Sequence, residues 1–229
     1  MITNKAVIIL SRLDSTRFPN KALKKLGNKT LIEWCITSLM PQKHYKIVLA
    51  TTNREVDDPL IEIANKYGIQ FYRGDCDNVA LRVKNCLEQF KIDIFARVNG
   101  DSPFPQRELI EEGFKRLEID NLEFVTNLAV RSFPYGISVE ILRAQTYLDH
   151  YKYFHSNTQK EHITSYFYEN LKTFNFLNID YGNSNDHNVR LVVDTPEDYL
   201  IITQIADALS QINNPTTEDL VKLYKKITA

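Results

Sequence analysis

Ala6-Val7-Ile8-Ile9-Leu10 runs directly into Ser11-Arg12-Leu13-Asp14-Ser15-Thr16-Arg17-Phe18-Pro19-Asn20-Lys21. A continuous apolar run of this kind is what a parallel strand covered on both faces requires. Three cations, Arg12, Arg17 and Lys21, follow within ten residues, with the Ser15 and Thr16 hydroxyls between them. Ligands of open α/β sheets sit beyond the carboxyl ends of the strands. Guanidinium forks bond phosphate oxygens in pairs, and an ammonium meets them as a point charge. The loop therefore reads as a polyphosphate site, against the plainer alternative of a solvated basic turn. It holds neither GxGxxG nor GxxxxGK[ST], which speaks against a dinucleotide dehydrogenase and a P-loop enzyme.

The same rhythm continues outward. Residues 30–40 read as a helix, with Thr30 as N-cap and Glu33 completing a capping box. Ile47-Val48-Leu49-Ala50 is a second strand, and Asp58-Pro59 opens a helix that stops at Gly68. Ile69-Gln70-Phe71-Tyr72 is a third strand, after which Val79, Val83, Cys86, Leu87 and Phe90 recur at helical spacing. A fourth strand over 93–98, a helix to about Leu117 and a short strand near Phe124-Val125 follow. This order predicts an α/β fold, a mainly parallel sheet with helices on both faces.

Past residue 128 the rhythm breaks. Ile137-Ser138-Val139-Glu140-Ile141 alternates like a solvated or edge strand, and 144–154 and 158–171 read as helices. Their aromatic residues, Tyr147, Tyr151, Tyr153, Phe154, Tyr166, Phe167 and Tyr168, are expected mostly in the core, with a subunit interface as the second use. A polar loop over 183–188, an apolar strand over 189–193 and two helices capped at Thr195-Pro196 and at Thr216 or Thr217 close the chain.

Composition excludes several classes. The 229 residues carry 28 basic and 29 acidic side chains, net −1, which argues against retention on nucleic acid or an anionic membrane by bulk charge. Three cysteines without a CxxC pair suit a reducing compartment and argue against a disulfide framework or structural zinc. Without a long apolar run or a signal-peptide pattern, the chain is expected to be soluble and cytoplasmic.

Two further segments carry acids at strand ends. Arg97-Val98-Asn99-Gly100-Asp101-Ser102-Pro103 ends the fourth strand, and Val192-Val193-Asp194-Thr195-Pro196-Glu197-Asp198 lies between a strand and a helix. Asp194 taken alone reads as a capping residue. Paired with Asp101, it offers the one or two carboxylates that Mg²⁺ takes when phosphate and water fill its other positions.

Residues 11–21 resemble the signature that opens the cytidylyltransferases activating acidic sugars, most nearly the SpsF-like branch, beside the Kdo and sialic acid cytidylyltransferases. Further blocks match in order: Ala50-Thr51-Thr52, Arg73-Gly74-Asp75, Asn99-Gly100-Asp101-Ser102-Pro103, Glu161-His162-Ile163-Thr164 and Val193-Asp194-Thr195-Pro196-Glu197-Asp198. Ser11, Phe18 and Asn20 depart from the usual alanine, leucine and glycine. The resemblance implies a Rossmann-like three-layer α/β/α nucleotidyltransferase fold in one domain, 1–229. Its core would be 1–128 and 183–229, and an aromatic-rich insertion over 129–182 would serve acceptor binding and dimer contacts. It implies CMP transfer from CTP to an acidic sugar-like acceptor for surface polysaccharide synthesis, with Mg²⁺ and a homodimer. Arg12, Ser15, Arg17 and Lys21 would hold the triphosphate, and Asp101 and Asp194 the metal, with Arg12, Lys21 and the two acids as the catalytic set. Arg73, Asp77, Asn78 and Arg82 would lie near the base or ribose, and Tyr135, Gly136, Glu140, Glu161 and His162 would shape the acceptor site. The alternatives are another base, a GT-A-like glycosyltransferase, poorly matched because Asn99-Gly100-Asp101 stands where its Asp-x-Asp belongs, and a catalytically silent nucleotide-binding protein.

Overall fold

Strand β1 (Lys5–Leu10) alternates between two cores. Val7 and Ile9 pack with Ile32, Leu49 and Ile110, while Ala6 and Ile8 pack with Val48, Val83 and Phe95. A strand with both faces buried has to be covered by helices on both sides. The computed structural model describes residues 3–14, 18–182, 186–209, 212 and 214–229.

After β1 come a two-strand hairpin, β2 (Lys25–Leu26) and β3 (Lys29–Thr30), then α1 (Leu31–Ser38), β4 (Lys46–Thr52), α2 (Asp58–Lys66), β5 (Gln70–Gly74), α3 (Val79–Phe90) and β6 (Ile94–Asn99). Next are α4 (Arg107–Ile119), β7 (Phe124–Thr126), β8 (Glu140–Arg143), α5 (Ala144–Tyr151), α6 (Asn157–Glu161) and α7 (Ser165–Glu169). β9 (Phe176–Asn178), α8 (Pro196–Ala208) and α9 (Thr217–Thr228) complete the chain. Among the described residues seven strands form one sheet in the order β5-β4-β1-β6-β8-β7-β9. β5, β4, β1 and β6 run parallel, and β8 lies antiparallel between β6 and β7. From β1 the chain first builds outward to β4 and β5, then crosses to β6 on the other side. The carboxyl ends of β1 and β6 thus flank the switch point where such sheets bind ligands.

Local signals act as the sequence predicts. Thr30 and Glu33 form a reciprocal capping box on α1, and Thr195 with Asp198 and Thr216 with Asp219 do the same on α8 and α9. Glu33 also accepts from Lys66 Nζ at 2.6 Å. Burial pushes its carboxyl up, but the Lys66 and Thr30 hydrogen bonds outweigh that and bring it down to about 2. A lowered carboxyl pKa contributes stability above its unfolded value, lost as pH falls through the folded one. Glu33→Gln should therefore cost about 1 kcal/mol at neutral pH. Urea midpoints measured from pH 4.5 down to about 2 should fall less steeply for the variant than for the wild type.

The structure departs from expectation in the second half. The 137–141 stretch is neither edge nor solvated: the strand begins at Glu140 and is interior, with Glu140, Ile141 and Leu142 buried. Burial is possible because the Arg97 guanidinium of β6 pairs with the Glu140 carboxylate. The single helix read over 158–171 is two, α6 and α7, broken at His162 so that the buried Thr164 hydroxyl donates to Glu140 at 2.6 Å. Residues 189–193 form an extended strap rather than a sheet strand. It bonds Tyr135 at Val189 O (2.8 Å) and Leu191 N (2.7 Å), and Asp101 O at Val193 N (3.0 Å). Gly136 makes that approach possible, since its φ is 104° and a Cβ there would lie 2.3 Å from Leu191 O. The strap, β2, α8 and α9 share a third apolar cluster through Leu26, Leu191, Val193, Ile202 and Leu220. Most of the aromatic segment packs inward, with Tyr147 and Phe167 fully buried, while Tyr153 is exposed.

Candidate active site

Register places the site. Leu10 pairs with Ala50 on one side and Asn99 on the other, so β1 and β6 end abreast and β4 runs on to Thr52. Gly100 N donates to Leu10 O at 2.9 Å. A Cβ on Gly100 would fall 2.8 Å from Ser11 Cβ, so glycine is what lets the Asn99-Gly100-Asp101 turn close against β1. A cleft of about 320 Å³ opens there, lined by residues that include Arg12, Lys21, Arg82, Arg97, Asp101 and His162.

The cationic loop is anchored from below. Asp57 is fully buried at the end of the turn after β4, and its Oδ1 accepts from Leu13 N at 2.7 Å. Its Oδ2 accepts from the Thr52 hydroxyl and from Arg54 Nη2. Arg54 also pairs with Asp14 at 2.6 Å, and Asn20 N donates to Leu13 O at 3.0 Å, which closes the base of the loop. Arg12 Nε lies 3.3 Å from Asp14, and Arg12 Nη1 meets Cys76 Sγ at 3.7 Å. Ser15 and Arg17 lie outside the described residues.

The two acids that are 93 residues apart in the numbering come together on one cation. Lys21 Nζ donates to Asp101 Oδ2 at 2.9 Å, Asp194 Oδ1 at 3.0 Å and Val193 O at 2.8 Å. The capping box of α8 positions the second acid, as Asp198 accepts from the amides of Asp194 and Thr195. Arg190 pairs with Asp198 through two nitrogens at 3.2 Å and reaches Asp194 at 3.7 Å. An oxygen set that already shares one ammonium fits a hard cation. Among the described residues no group of three or more His, Cys, Asp or Glu is arranged to hold a metal, so an ion on this pair would fill its other positions with water or ligand oxygens.

Arg82, one turn into α3, is 1% exposed and faces the cleft. It donates to the carbonyls of Asp75 (2.9 Å) and Cys76 (3.1 Å). Burial, then the charge of Arg12, pushes its guanidinium below its ordinary range. Arg97 reaches the cleft floor from β6, tied at Nη1 to Glu140, while its buried Nε has no partner among the described residues. Burial pushes the Arg97 guanidinium down, but Glu140 outweighs it and raises the pKa.

Other sequence candidates lie at or away from this cleft. Glu161 and His162, at the end of α6, are exposed on its wall. Glu140 sits behind Arg97 and is committed to Arg97, Thr164 and Tyr168. Arg73 turns to Thr52 O, Arg54 O and Asp58. Asp77 is exposed, its amide bound to Asp75, and Asn78 N-caps α3 by accepting from Leu81 N at 2.8 Å. Tyr135 is 40% exposed outside the cleft lining, stacked with Arg131 and Arg190 at 5.0 and 4.8 Å. The sequence reading passed over Asp57 and Arg97. For Arg97 the signal was present, an arginine inside an apolar strand; for Asp57 nothing local distinguishes it from its neighbour Asp58.

Known proteins resemble this chain along nearly its whole length. The family described as Cytidylyltransferase matches residues 6–226. The spore coat polysaccharide biosynthesis protein SpsF of Bacillus subtilis (strain 168) is 26% identical over 227 residues, spanning 96% of this chain and 93% of that one. The 3-deoxy-manno-octulosonate cytidylyltransferase of Francisella tularensis subsp. novicida (strain U112) is 29% identical over 131 residues, 55% of this chain and 50% of that one. The structure of a cytidylyltransferase from Leptospira borgpetersenii serovar Hardjo-bovis (strain JB197) superposes with a TM-score of 0.88 at 26% identity, over 98% of this chain and 94% of that one. With the match running from β1 into α9, the chain belongs to the cytidylyltransferase family.

Proposed function

We propose that the protein transfers CMP from CTP to an acidic sugar, releasing pyrophosphate, in the synthesis of a surface polysaccharide. The convergence of Asp101, Asp194 and Lys21 beside Arg12, at the carboxyl ends of β1 and β6, carries the reading. An acceptor oxygen attacks the α-phosphorus in line, and the bond from that phosphorus to the β-phosphate oxygen breaks. Catalysis of such a transfer rests on positioning and charge stabilisation. Arg12, Arg82 and Lys21 neutralise charge on the triphosphate and on departing pyrophosphate. Mg²⁺ held by Asp101 and Asp194 would supply Lewis-acid polarisation of the α-phosphate. Glu161 and His162, on the cleft wall, face the acceptor side. The SpsF and 3-deoxy-manno-octulosonate relatives support an acidic sugar acceptor and a polysaccharide role.

The test is a thermal-shift panel of CTP, UTP, ATP and GTP with Mg²⁺, followed by pyrophosphate release with 3-deoxy-manno-octulosonate and other keto-acid sugars. A ligand at 100 times its Kd stabilises the fold by about 2.7 kcal/mol, so CTP should stand apart. A larger shift with another nucleotide, or no pyrophosphate with any acid sugar, would overturn the reading. Asp57→Ala probes the loop anchor: it strips the Leu13 amide of its buried acceptor and should cost about 1–3 kcal/mol. Because that amide opens the cationic loop, CTP affinity should fall about tenfold, equivalent to 1.4 kcal/mol, in a calorimetric titration.

A further inference from the structure

An ammonium has three protons to donate, and Lys21 spends all three inside the protein. Its partners are Asp101 Oδ2, Asp194 Oδ1 and the Val193 carbonyl, at 2.9, 3.0 and 2.8 Å. In this arrangement nothing is left for a phosphate oxygen, although the lysine follows the cationic loop and lines the cleft. Its side chain is 13% exposed and that of Asp194 10%, so the contact is largely shielded from water and weakly screened. A divalent ion cannot take the same carboxylate oxygens while the ammonium holds them, because two cations would then lie within a few ångströms of each other.

We propose that Lys21 is the built-in counter-ion of the acid pair in the nucleotide-free protein, and that the triphosphate opens the divalent-cation position by drawing this ammonium away. The proposal rests on the reading of Asp101 and Asp194 as the metal-binding acids. The exchange keeps every charge paired: phosphate oxygens replace carboxylates around Lys21, and the metal replaces Lys21 between the carboxylates. It needs no movement of the backbone. Lys21 begins a short 3₁₀ turn, Lys21–Leu23, whose approach is fixed by the Asn20–Leu13 hydrogen bond, and rotation about its own side-chain bonds moves the ammonium. Metal therefore enters with or after nucleotide, and the nucleotide-free protein discriminates against free divalent ions.

Mn²⁺ is the probe, with free Mn²⁺ followed by electron paramagnetic resonance in the absence of nucleotide. Lys21→Met should bind Mn²⁺ at least tenfold more tightly than wild type, and Asp101→Asn in the same background should abolish the gain. Lys21→Gln serves as the second variant should Lys21→Met fail to melt cooperatively. Equal affinity in wild type and variant, lost on Asp101→Asn, overturns the gate and leaves the metal-binding pair standing. Binding that is absent from the lysine variants, or indifferent to Asp101→Asn in every background, overturns the pair and the gate together.

Discussion

Asp101→Asn is expected to lower kcat for CMP transfer by about 10²- to 10³-fold, while the dissociation constant for CTP changes little. The asymmetry follows from the geometry. Asn keeps the shape of the side chain and leaves Lys21 its bonds to Asp194 and the Val193 carbonyl, so the loop and the cleft stay in place. Triphosphate binding draws mainly on cations, Arg12, Arg82 and Lys21, none of which is altered. The variant removes the negative charge that, with Asp194, would hold the divalent cation of the proposed reaction, and a group felt chiefly in the transition state appears in kcat. Pyrophosphate-release kinetics and calorimetry of CTP read the two quantities separately. A kcat near that of wild type would remove Asp101 from the mechanism.

Glu140→Ala should cause the largest loss of stability, about 3–5 kcal/mol. Its carboxylate is 1% exposed and serves Arg97, the Thr164 hydroxyl at 2.6 Å and the Tyr168 hydroxyl at 3.0 Å. Removing it strands a buried guanidinium whose Nε has no partner among the described residues to begin with. It also unlinks β6 and β8 from α7 and, through the 2.6 Å Tyr168–Thr126 contact, from β7. Burial and then Glu140 itself push the Tyr168 phenol well above its ordinary value, so the hydroxyl stays a donor throughout the neutral range. For a chain of this size the loss corresponds to a fall in Tm of roughly 6–20 °C. The double variant Arg97→Met, Glu140→Leu should recover a large part of it, because two apolar side chains need no desolvated partner. Urea denaturation of the three proteins measures this; a loss under about 1 kcal/mol for Glu140→Ala would mean that water, not protein, satisfies Arg97.

Some of this was legible in the residues alone. The caps at Thr30, Thr195 and Thr216 and the helix start at Asp58-Pro59 depend on groups within four residues of one another, so a linear reading captures them. The apolar runs of β1, β4 and β6 and the helical spacing of α3 carry the layered α/β architecture for the same reason. Placement at the carboxyl ends of β1 and β6 followed from the order of those elements and the general behaviour of open sheets.

What the residues determined by themselves is thus most of the local elements through β7, the layered fold they must build and the edge of the sheet where ligands of such sheets bind. Tertiary structure alone decided which distant charges meet. Glu140 reads as a solvent-facing charge until Arg97, 43 positions away, is seen beside it. Asp57 is indistinguishable from a surface acid until it holds the Leu13 amide, 44 positions away. The strap over 189–193 reads as a strand until Gly136 lets it cross at one residue. Lys21 reads as a phosphate ligand, and only the fold reveals that the acid pair and the Val193 carbonyl already hold all its protons. Hydrophobic periodicity is a property of neighbours along the chain, whereas the pairing of buried charges is a property of neighbours in space, and no spacing rule connects the two.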